Sequence, residues 1–430
     1  MPLPFKEHPL RQQAISELHA RTYEPLQAPE RISHITSVCG ERGTGRNLRY
    51  MFKLLEHYGL PLPESVDQHY IAELGDIRML WERHTEFVTY TFIKHGSFTH
   101  PFTAPVILEL PQHWLANLPG EVVSAISLAL EPKDGPERST EALSQLFDGN
   151  VVIGSEVVGG AARAWSDIRI HSDGFSRILL RDQGLSRNQA GRLAKRILEI
   201  SSYQAMALLG LPPAREANRL LSKADGRLVG VATQMSGDQR TETAAQKALL
   251  AALTALAVDI ETIAAKTSYR FEASKAYYGV VTQRLEQLRQ RRIEGLQTFT
   301  EFLDARLAPA IATCDSTFQR QHNLAERAAR LTSLLRARVE VELQRQNRSL
   351  LESMDKRAKI QLRLQETVEG LSVIAIGYYG VGLVGYLWKG LEGHGFPIDA
   401  NYLTGLSAPV VVLLAWLGLR RMKARLLKSE

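Results

Sequence analysis

The stretch 371-LSVIAIGYYGVGLVGYLW-388 runs for eighteen residues without a charged side chain, and a second stretch, 402-YLTGLSAPVVVLLAWLGL-419, does the same. At about 1.5 Å per helical residue, each reaches across most of a hydrocarbon layer roughly 30 Å thick. The segment between them contains three glycines and one proline, a composition typical of a tight connection. We therefore predict transmembrane helices at 370–388 and 402–419, joined by an outer loop at 389–401.

Basic residues lie on one side of this predicted hairpin. The loop contains only Lys389, whereas the tail 420–430 contains five basic residues. Four more precede the first span: Lys356, Arg357, Lys359 and Arg363. Because Lys and Arg concentrate on the cytoplasmic side of a membrane, we expect both termini in the cytoplasm and the spans in a bacterial inner membrane. A helical hairpin buried in a soluble core is the alternative, and it gives no reason for this arrangement of charge.

One face of the first span carries hydroxyl groups. Ser372, Tyr379 and Tyr386 recur every seven residues and so share a side of the helix. Hydroxyls and glycines on one face are typical of contacts between membrane helices. We predict that this face contacts another helix, with a pore lining as the alternative.

Composition limits the class of protein. A chain of 430 residues with 44% hydrophobic residues can bury a sizeable core, and its net charge of +6 is small. Its two cysteines, Cys39 and Cys314, lie far apart without metal-ligand spacing, so a reducing compartment is indicated. The first twenty residues lack an apolar stretch of signal-peptide length. We expect no nucleic-acid partner, no cofactor and no confident metal site.

Residues 183–369 have the composition of long helices. No proline occurs between Pro213 and Pro309, and neither proline nor glycine occurs from Ile311 to Glu369. We predict a helical, coiled-coil-like stalk that reverses at Pro309, after which one helix runs for about 90 Å into the first span. Apolar residues mark one side of this helix, which predicts packing against the preceding helix of the same chain as well as against a partner subunit in a homo-oligomer: Leu331, Leu335, Val339, Leu343, Leu350 and Met354.

Residues 1–182 have a different pattern. Short segments rich in Val, Ile, Thr and aromatic residues alternate with turn residues, which is typical of strands. Gly159-Gly160 and Asp173-Gly174 predict hairpin turns. We expect helices near 10–20, 44–58 and 139–147. The fold class predicted is an α+β domain with a largely antiparallel sheet, followed by the helical stalk and the transmembrane helices.

Three features of this domain could carry chemistry. Nine of the twelve histidines fall in the first 113 residues, and His84 and Glu86, placed on one strand, are weak candidates for metal binding. No HxH, HxxxH or HExxH spacing occurs, so ordinary hydrogen-bonded histidines are the better interpretation.

The second feature, a glycine-rich turn between a predicted strand and helix, could bind an anion at the helix N-terminus through Gly40, Arg42, Gly43, Gly45 and Arg46. It lacks the Walker and GxGxxG spacings, and a plain turn is the alternative.

The third feature is the segment 165-WSDIRIHSDGFSR-177, which concentrates charged residues. It holds Asp167, Arg169, His171, Asp173 and Arg177. Asp173-Gly174 predicts a turn, and the alternation around it fits one solvated strand face. We expect a structural use here in preference to catalysis.

Several motifs together resemble a bacterial family of membrane-anchored proteins whose function is unassigned. The motifs extend over nearly the whole chain: HPLRQQAISELHAR, SHITSVCGERG, WERHTEFVTYTF, PFTAP, LPGE, WSDIRIHSDGFSR, MALLGLPPAREA and ETVEGLSVIAIGYYGVGLVGY. The resemblance implies the membrane anchor, and it implies no reaction and no catalytic residue. The layout alone is also similar to that of CorA-type cation channels, but the Gly-Met-Asn motif of those channels is replaced here by GYLWKG.

The sequence favours a non-enzymatic, inner-membrane-anchored protein that presents a cytoplasmic α+β domain on a stalk. It would self-associate and act as a scaffold or sensor. One alternative is an oligomeric channel of the CorA layout. The other is a membrane-tethered enzyme that binds metal or phosphate.

Overall fold

The structure is a computed structural model that describes residues 6–12, 14–15, 23–40, 43–64, 66, 68–237, 243–392 and 399–426. It divides into two compact units, Met1–Thr332 and Ser333–Glu430.

A nine-stranded sheet organises the first unit. Its strands are β1 (Glu30–Val38), β2 (His69–Leu74), β3 (Ile77–Arg83), β4 (Phe87–His95), β5 (Glu121–Glu131), β6 (Ile153–Val157), β7 (Ala162–Ile170), β8 (Ser176–Asp182) and β9 (Arg291–Arg292). Their order is β2-β3-β4-β1-β5-β8-β7-β6-β9, and of the described pairs only β5 and β8 run parallel. The largely antiparallel sheet of the sequence prediction is therefore confirmed.

Alternation along the strands separates the two faces of the sheet. On β4, the side chains of Val88, Tyr90 and Phe92 pack in one buried cluster with helix α1 (Thr44–His57) and Trp114 of helix α2 (Gln112–Leu115). Successive side chains of a strand point to opposite faces, so Thr89, Thr91 and Ile93 face the other side. That side is covered by helix α4 (Arg187–Leu208). The short helix α3 (Thr140–Leu146) packs Leu143 against Trp165.

Helix α4 begins with a capping box. The Ser186 hydroxyl accepts from the Gln189 amide, and the Gln189 side chain accepts from the Ser186 amide. These reciprocal bonds satisfy two backbone donors that the first helical turn leaves free. Leu193 and Ile197 then lie in the core with strand residues Ile178 and Leu180.

Three further helices pack together: α5 (Leu211–Gly237), α6 (Thr243–Gln287) and the part of α7 (Phe299–Glu392) that belongs to the first unit. Buried residues on α6 recur at seven-residue spacing, as in Leu253, Ile260 and Thr267. The Gln321 amide donates to the Thr267 hydroxyl at 2.7 Å, which ties α7 to α6. The long helices predicted after residue 183 are thus confirmed.

The predicted reversal at Pro309 is wrong. The chain turns between Gln287 and Phe299, where Arg289 and Gly295 adopt φ of 48° and 78° and β9 pairs with β6. Pro309 lies inside α7. Proline in a helix removes one backbone donor but keeps a helical φ, so the helix continues past it.

The hairpin turns at Gly159-Gly160 and Asp173-Gly174 are confirmed by positive φ at Gly159, Gly160 and Gly174 between paired strands. The helices predicted at 44–58 and 139–147 are confirmed as well. Most of the helix predicted near 10–20 lies outside the described residues.

The second unit contains the remainder of α7 and helix α8 (Ala400–Leu426). Glycines on α7 face α8 closely. A Cβ atom built on Gly380 would lie 2.7 Å from Cγ1 of Val411, and one on Gly385 would lie 3.2 Å from Cγ2 of Thr404. The absence of side chains at these positions lets the two helices approach each other.

Candidate functional site

A cleft of about 420 Å³ opens in the first unit where the β3–β4 turn faces α4 and α6. It is lined by Gln68, His69, Glu82, Arg83, His84, Thr85, Phe87, Lys195, Glu199, Tyr203 and Tyr277. Lys195, Glu199 and Tyr203 are spaced by four residues on α4, so they share one face of the helix. The strand end and the helix therefore each present a row of polar groups to the same space.

Ion pairs fix the charged side chains of this cleft. Lys195 Nζ lies 2.7 Å from Glu82 Oε1, and Arg284 Nε donates to Glu199 Oε2 at 2.5 Å. Arg83 also lines the cleft, and among the described residues no carboxylate lies within ion-pair distance of its guanidinium group. Arg284 neutralises Glu199 from outside the lining, so Arg83 is left as one positive charge in excess at the cleft. That balance suits an anionic group.

The turn that carries Arg83 is anchored through Glu86. Its side chain is 3% exposed. It accepts hydrogen bonds from Nη1 and Nη2 of Arg270, at 2.9 and 2.5 Å, and from the Tyr277 hydroxyl at 2.7 Å. Burial and this bond to a carboxylate raise the pKa of Tyr277. Bidentate Arg–carboxylate bonds are short and directional, so they hold the turn against α6.

His84 lies in the same turn. Its ring stacks on Phe87 with centroids 4.1 Å apart, and its Nδ1 lies 3.4 Å from the Tyr203 hydroxyl oxygen. The prediction that His84 and Glu86 sit on one strand is wrong, because β3 ends at Arg83 and β4 begins at Phe87. The Glu86 carboxylate is occupied by Arg270 and Tyr277. Within the described part of the chain, no three His, Cys, Asp or Glu side chains are grouped so as to hold a metal ion.

A narrow apolar pocket of about 40 Å³ adjoins the cleft between the sheet and α4. Aliphatic residues such as Leu80 and Leu198 line its inner part. It shares six lining residues with the cleft: Glu82, His84, Phe87, Lys195, Glu199 and Tyr203. Thr89 also lines it, and the buried Thr89 hydroxyl has no hydrogen-bond partner among the described residues. Buried polar atoms are almost always paired. A small polar group would satisfy this hydroxyl.

The wall of this pocket contains a buried hydrogen-bond network around His34. Nδ1 of His34 lies 2.8 Å from the Thr91 hydroxyl, and Nε2 lies 2.9 Å from the Ser202 hydroxyl. The Ser202 hydroxyl also lies 3.0 Å from the Leu198 carbonyl, to which it can donate, and 2.7 Å from the Thr36 hydroxyl. Burial lowers the pKa of His34 to about 4, so the ring is neutral at pH 7. Ser202, Thr36 and Thr91 thus each have a hydrogen-bond partner within this network.

The predicted anion-binding turn has its own backbone partners. The Gly40 amide donates to the Glu86 carbonyl at 2.9 Å, and the Gly43 amide donates to the Gly40 carbonyl at 3.1 Å. Gly45 and Arg46 are exposed in the first turn of α1, and Arg42 lies outside the described residues. Anion binding by this turn stays a prediction.

The charged segment 165–177 forms a buried ionic cluster. His171 Nδ1 lies 2.7 Å from Asp148 Oδ2, and Nε2 lies 3.0 Å from Asp167 Oδ2, at ion-pair distance. The hydrogen bond to His171, together with the Arg177 guanidinium group, lowers the pKa of Asp148. Asn150 donates to Asp167 at 2.8 Å. These bonds tie the β7–β8 hairpin to the loop after α3, which is a structural use.

The structure places the predicted helix-contact residues on α7. Tyr379 and Tyr386 are exposed and line an open groove of about 710 Å³ together with Gly382, while Ser372 is half-buried.

By length and composition, three helices are apolar enough to cross a membrane: Ala244–Gln287, Phe299–Glu392 and Ala400–Arg421. The sequence had indicated only the second and third.

Sequence reasoning missed the helical half of the cleft. Lys195, Glu199 and Tyr203 lie in the residues that the sequence analysis assigns to the stalk. Their four-residue spacing could have indicated the cleft. Polar side chains that recur on the buried side of a helix indicate that this side borders a cavity.

Fold and site define an α+β protein whose sheet is followed by long helices, some of them suited to membrane association. The chain belongs to a family described as a protein of unknown function, DUF3422, whose model matches residues 6–426. No curated protein matches it. The solved structure of the full-length CmaX protein matches at 11% identity over 70% of this chain and 89% of that chain. Its TM-score of 0.17 is too low to carry an argument.

Proposed function

We propose that this protein is a sensor anchored in the bacterial inner membrane, whose cleft binds a small anionic molecule on the cytoplasmic side. The observation that carries the proposal is the cleft of about 420 Å³ in which Arg83 has no acidic partner among the described residues. Small-molecule sites have volumes of roughly 300–1,000 Å³. The cleft therefore suits a small molecule better than a polymer.

Two of the three apolar helices support the anchor. On α7 and α8 the apolar side chains are exposed, for example Ile374 at 70% and Leu414 at 62%. Exposed apolar surface costs about 25 cal/mol per Å² in water, and a bilayer removes that cost. The third helix, α6, packs Leu253, Leu256 and Ile260 into the first unit, although only 17% of its most apolar stretch is buried. The proposal keeps two spans, because α6 belongs to the unit that contains the sheet.

A role in sensing agrees with the chemistry of the cleft better than catalysis does. Glu82, Glu199 and Glu86 are each engaged in an ion pair, so none is placed as a general base. Ser202 is 2% exposed and is hydrogen-bonded inside the protein to His34 and Thr36. What the described part of the cleft offers a ligand is positive charge, aromatic surface and a small apolar recess.

The test is a thermal-shift screen of the full-length protein in lipid nanodiscs against phosphate and small mono- and dicarboxylates. A ligand at 100 times its Kd raises stability by about 2.7 kcal/mol. We expect Arg83→Gln to abolish the shift and Arg49→Gln, an exposed arginine on α1, to preserve it. The proposal is wrong if no anion stabilises the wild type. It is also wrong if an anion stabilises Arg83→Gln as much as Arg49→Gln.

A channel is the second candidate, and the groove formed by Tyr379, Gly382 and Tyr386 favours it. In a ring of subunits this face would turn toward the axis and line a pore. Ion flux into proteoliposomes that changes with Tyr386→Ala, and not with Leu387→Ala, would support a pore. Equal flux in both variants would leave the face as a helix contact.

A further inference from the structure

Residues 340–371 of α7 form a helix whose apolar side chains are uncovered. Leu343, Leu350, Leu364 and Leu371 follow one another at multiples of seven residues and are 50% to 69% exposed. The same series places Arg357 between Leu350 and Leu364. A leucine at every seventh position is the pattern of the d position of a coiled coil.

The complementary a position is occupied as well. Four residues after each d position come Asn347, Met354, Gln361 and Val368. Met354 and Val368 are 66% and 57% exposed. An a/d seam of this kind continues over four heptads, which is the length at which such a pattern indicates a coiled coil.

The charges of this segment avoid the seam. Twelve charged residues occur from 340 to 371, and only Glu340 and Arg357 lie at a or d. The remaining ten lie at the outer b, c and f positions: Glu342, Arg345, Arg348, Glu352, Asp355, Lys356, Lys359, Arg363, Glu366 and Glu369. The e and g positions carry no charge and include Leu351 and Ile360. The uncharged face is therefore wider than an a/d seam.

This seam is separate from the one that packs inside the first unit. There α7 buries Thr317, Gln321, Leu324 and Ala328 at alternating spacings of four and three. Continued along the sequence, that spacing reaches Arg345 and Ser349 and misses Leu343 and Leu350. Such a change of phase turns the apolar face to a new side of the helix. The second seam thus calls for its own partner.

We infer that residues 340–371 pair with the same residues of further copies of this chain, in a parallel coiled coil in register. Asn347 and Gln361 argue for identical partners, because polar a residues are satisfied best by the same residue at the same level. The parallel direction rests on the proposed anchor, since copies inserted in one membrane enter it with the same polarity. The wide uncharged face favours more than two helices.

Cysteine cross-linking of the full-length protein in nanodiscs tests the arrangement. In a parallel coiled coil in register, d residues of neighbouring helices meet and f residues do not. We expect Leu364→Cys to form covalent dimers under mild oxidation roughly ten times faster than Glu366→Cys, with the wild type controlling for Cys39 and Cys314. Light scattering should give a mass of more than two chains.

Arg357→Leu supplies a readout that does not depend on the cysteines. It replaces the charged d residue by the residue type of the other d positions, so the assembly should dissociate at a higher temperature than the wild type. The inference is overturned if the two cysteine variants cross-link at equal rates, or if the nanodisc holds one chain. A single chain would mean that this face lies on the lipid surface. Neither outcome bears on ligand binding by the cleft, which is measured separately.

Discussion

The helices of the first unit and the helix segment 340–371 of the second share the same seven-residue spacing of apolar side chains, yet only the first unit covers them with its own chain. Leu253 and Ile260 on α6 are 0% and 1% exposed, whereas Leu350 and Leu364 on α7 are 61% and 64% exposed. Periodicity alone therefore predicts the helix and its apolar face. It does not predict whether the partner belongs to the same chain.

The largest difference between the two regions should appear when a seam leucine is shortened. Leu253→Ala leaves a cavity inside the first unit, so we expect its free energy of unfolding to fall by about 2–5 kcal/mol. Leu350→Ala removes the same atoms from an exposed side chain of the second unit. It should change the free energy of unfolding of the first unit by less than about 0.5 kcal/mol. Urea unfolding of the full-length protein in detergent, followed by tryptophan fluorescence, measures both. Equal losses would mean that the seam of the second unit is already covered within one chain.

Acid should also act on the first unit alone, through His34. Its pKa in the folded state is lowered from 6.5 to about 4 by burial, so the folded state takes up a proton less readily than the unfolded one. The stability that this group contributes is complete above pH 6.5 and is lost as the pH falls through about 4. At about 1.4 kcal/mol per pH unit, the loss is about 3 kcal/mol.

The matched variant for this effect is His34→Gln, which keeps one donor and one acceptor but does not titrate. Its unfolding free energy should be lower than that of the wild type at pH 7 and flatter between pH 6.5 and 4. Thermal melts in detergent across this interval give the comparison. An unchanged slope in the variant would assign the acid sensitivity to another group, and the ionic cluster at His171 would be the next to examine.

The parts of the fold that could be predicted from the sequence are those fixed by neighbouring residues. The strand segments of the N-terminal domain and the turn at Asp173-Gly174 depend on contacts within a few residues, and both patterns are visible without the structure. Pro309 was misjudged because a local signal for a break was outweighed by packing along α7. Apolar composition does not by itself separate α6 from the two predicted spans, since its length and hydropathy also fit a membrane helix.

The candidate site could not be predicted in the same way, because its residues meet only through the tertiary fold. Glu82 and Lys195 are separated by 113 residues, and Glu86 and Arg270 by 184. The histidine count directed attention to His84, which does line the cleft, but it gave no reason to connect His84 with α4. The segment 165–177 showed its charges, but its partner Asp148 lies outside the segment.

The smallest effect on stability is expected at the contact between α7 and α8. In this part of the second unit, both packing partners belong to the same chain. Gly380 has no room for a side chain, since its Cβ would lie 2.7 Å from Val411, whereas nothing lies within 4 Å of a Cβ at Gly382. Gly380→Ala should weaken the contact by about 1 kcal/mol through crowding. Gly382→Ala should leave it unchanged or slightly stronger, because alanine favours helix. Hydrogen exchange of the α8 amides in nanodiscs reports the difference, with about fivefold faster exchange expected for Gly380→Ala alone. Equal exchange in the two variants would mean that the hairpin, like residues 340–371, takes its partner from another chain.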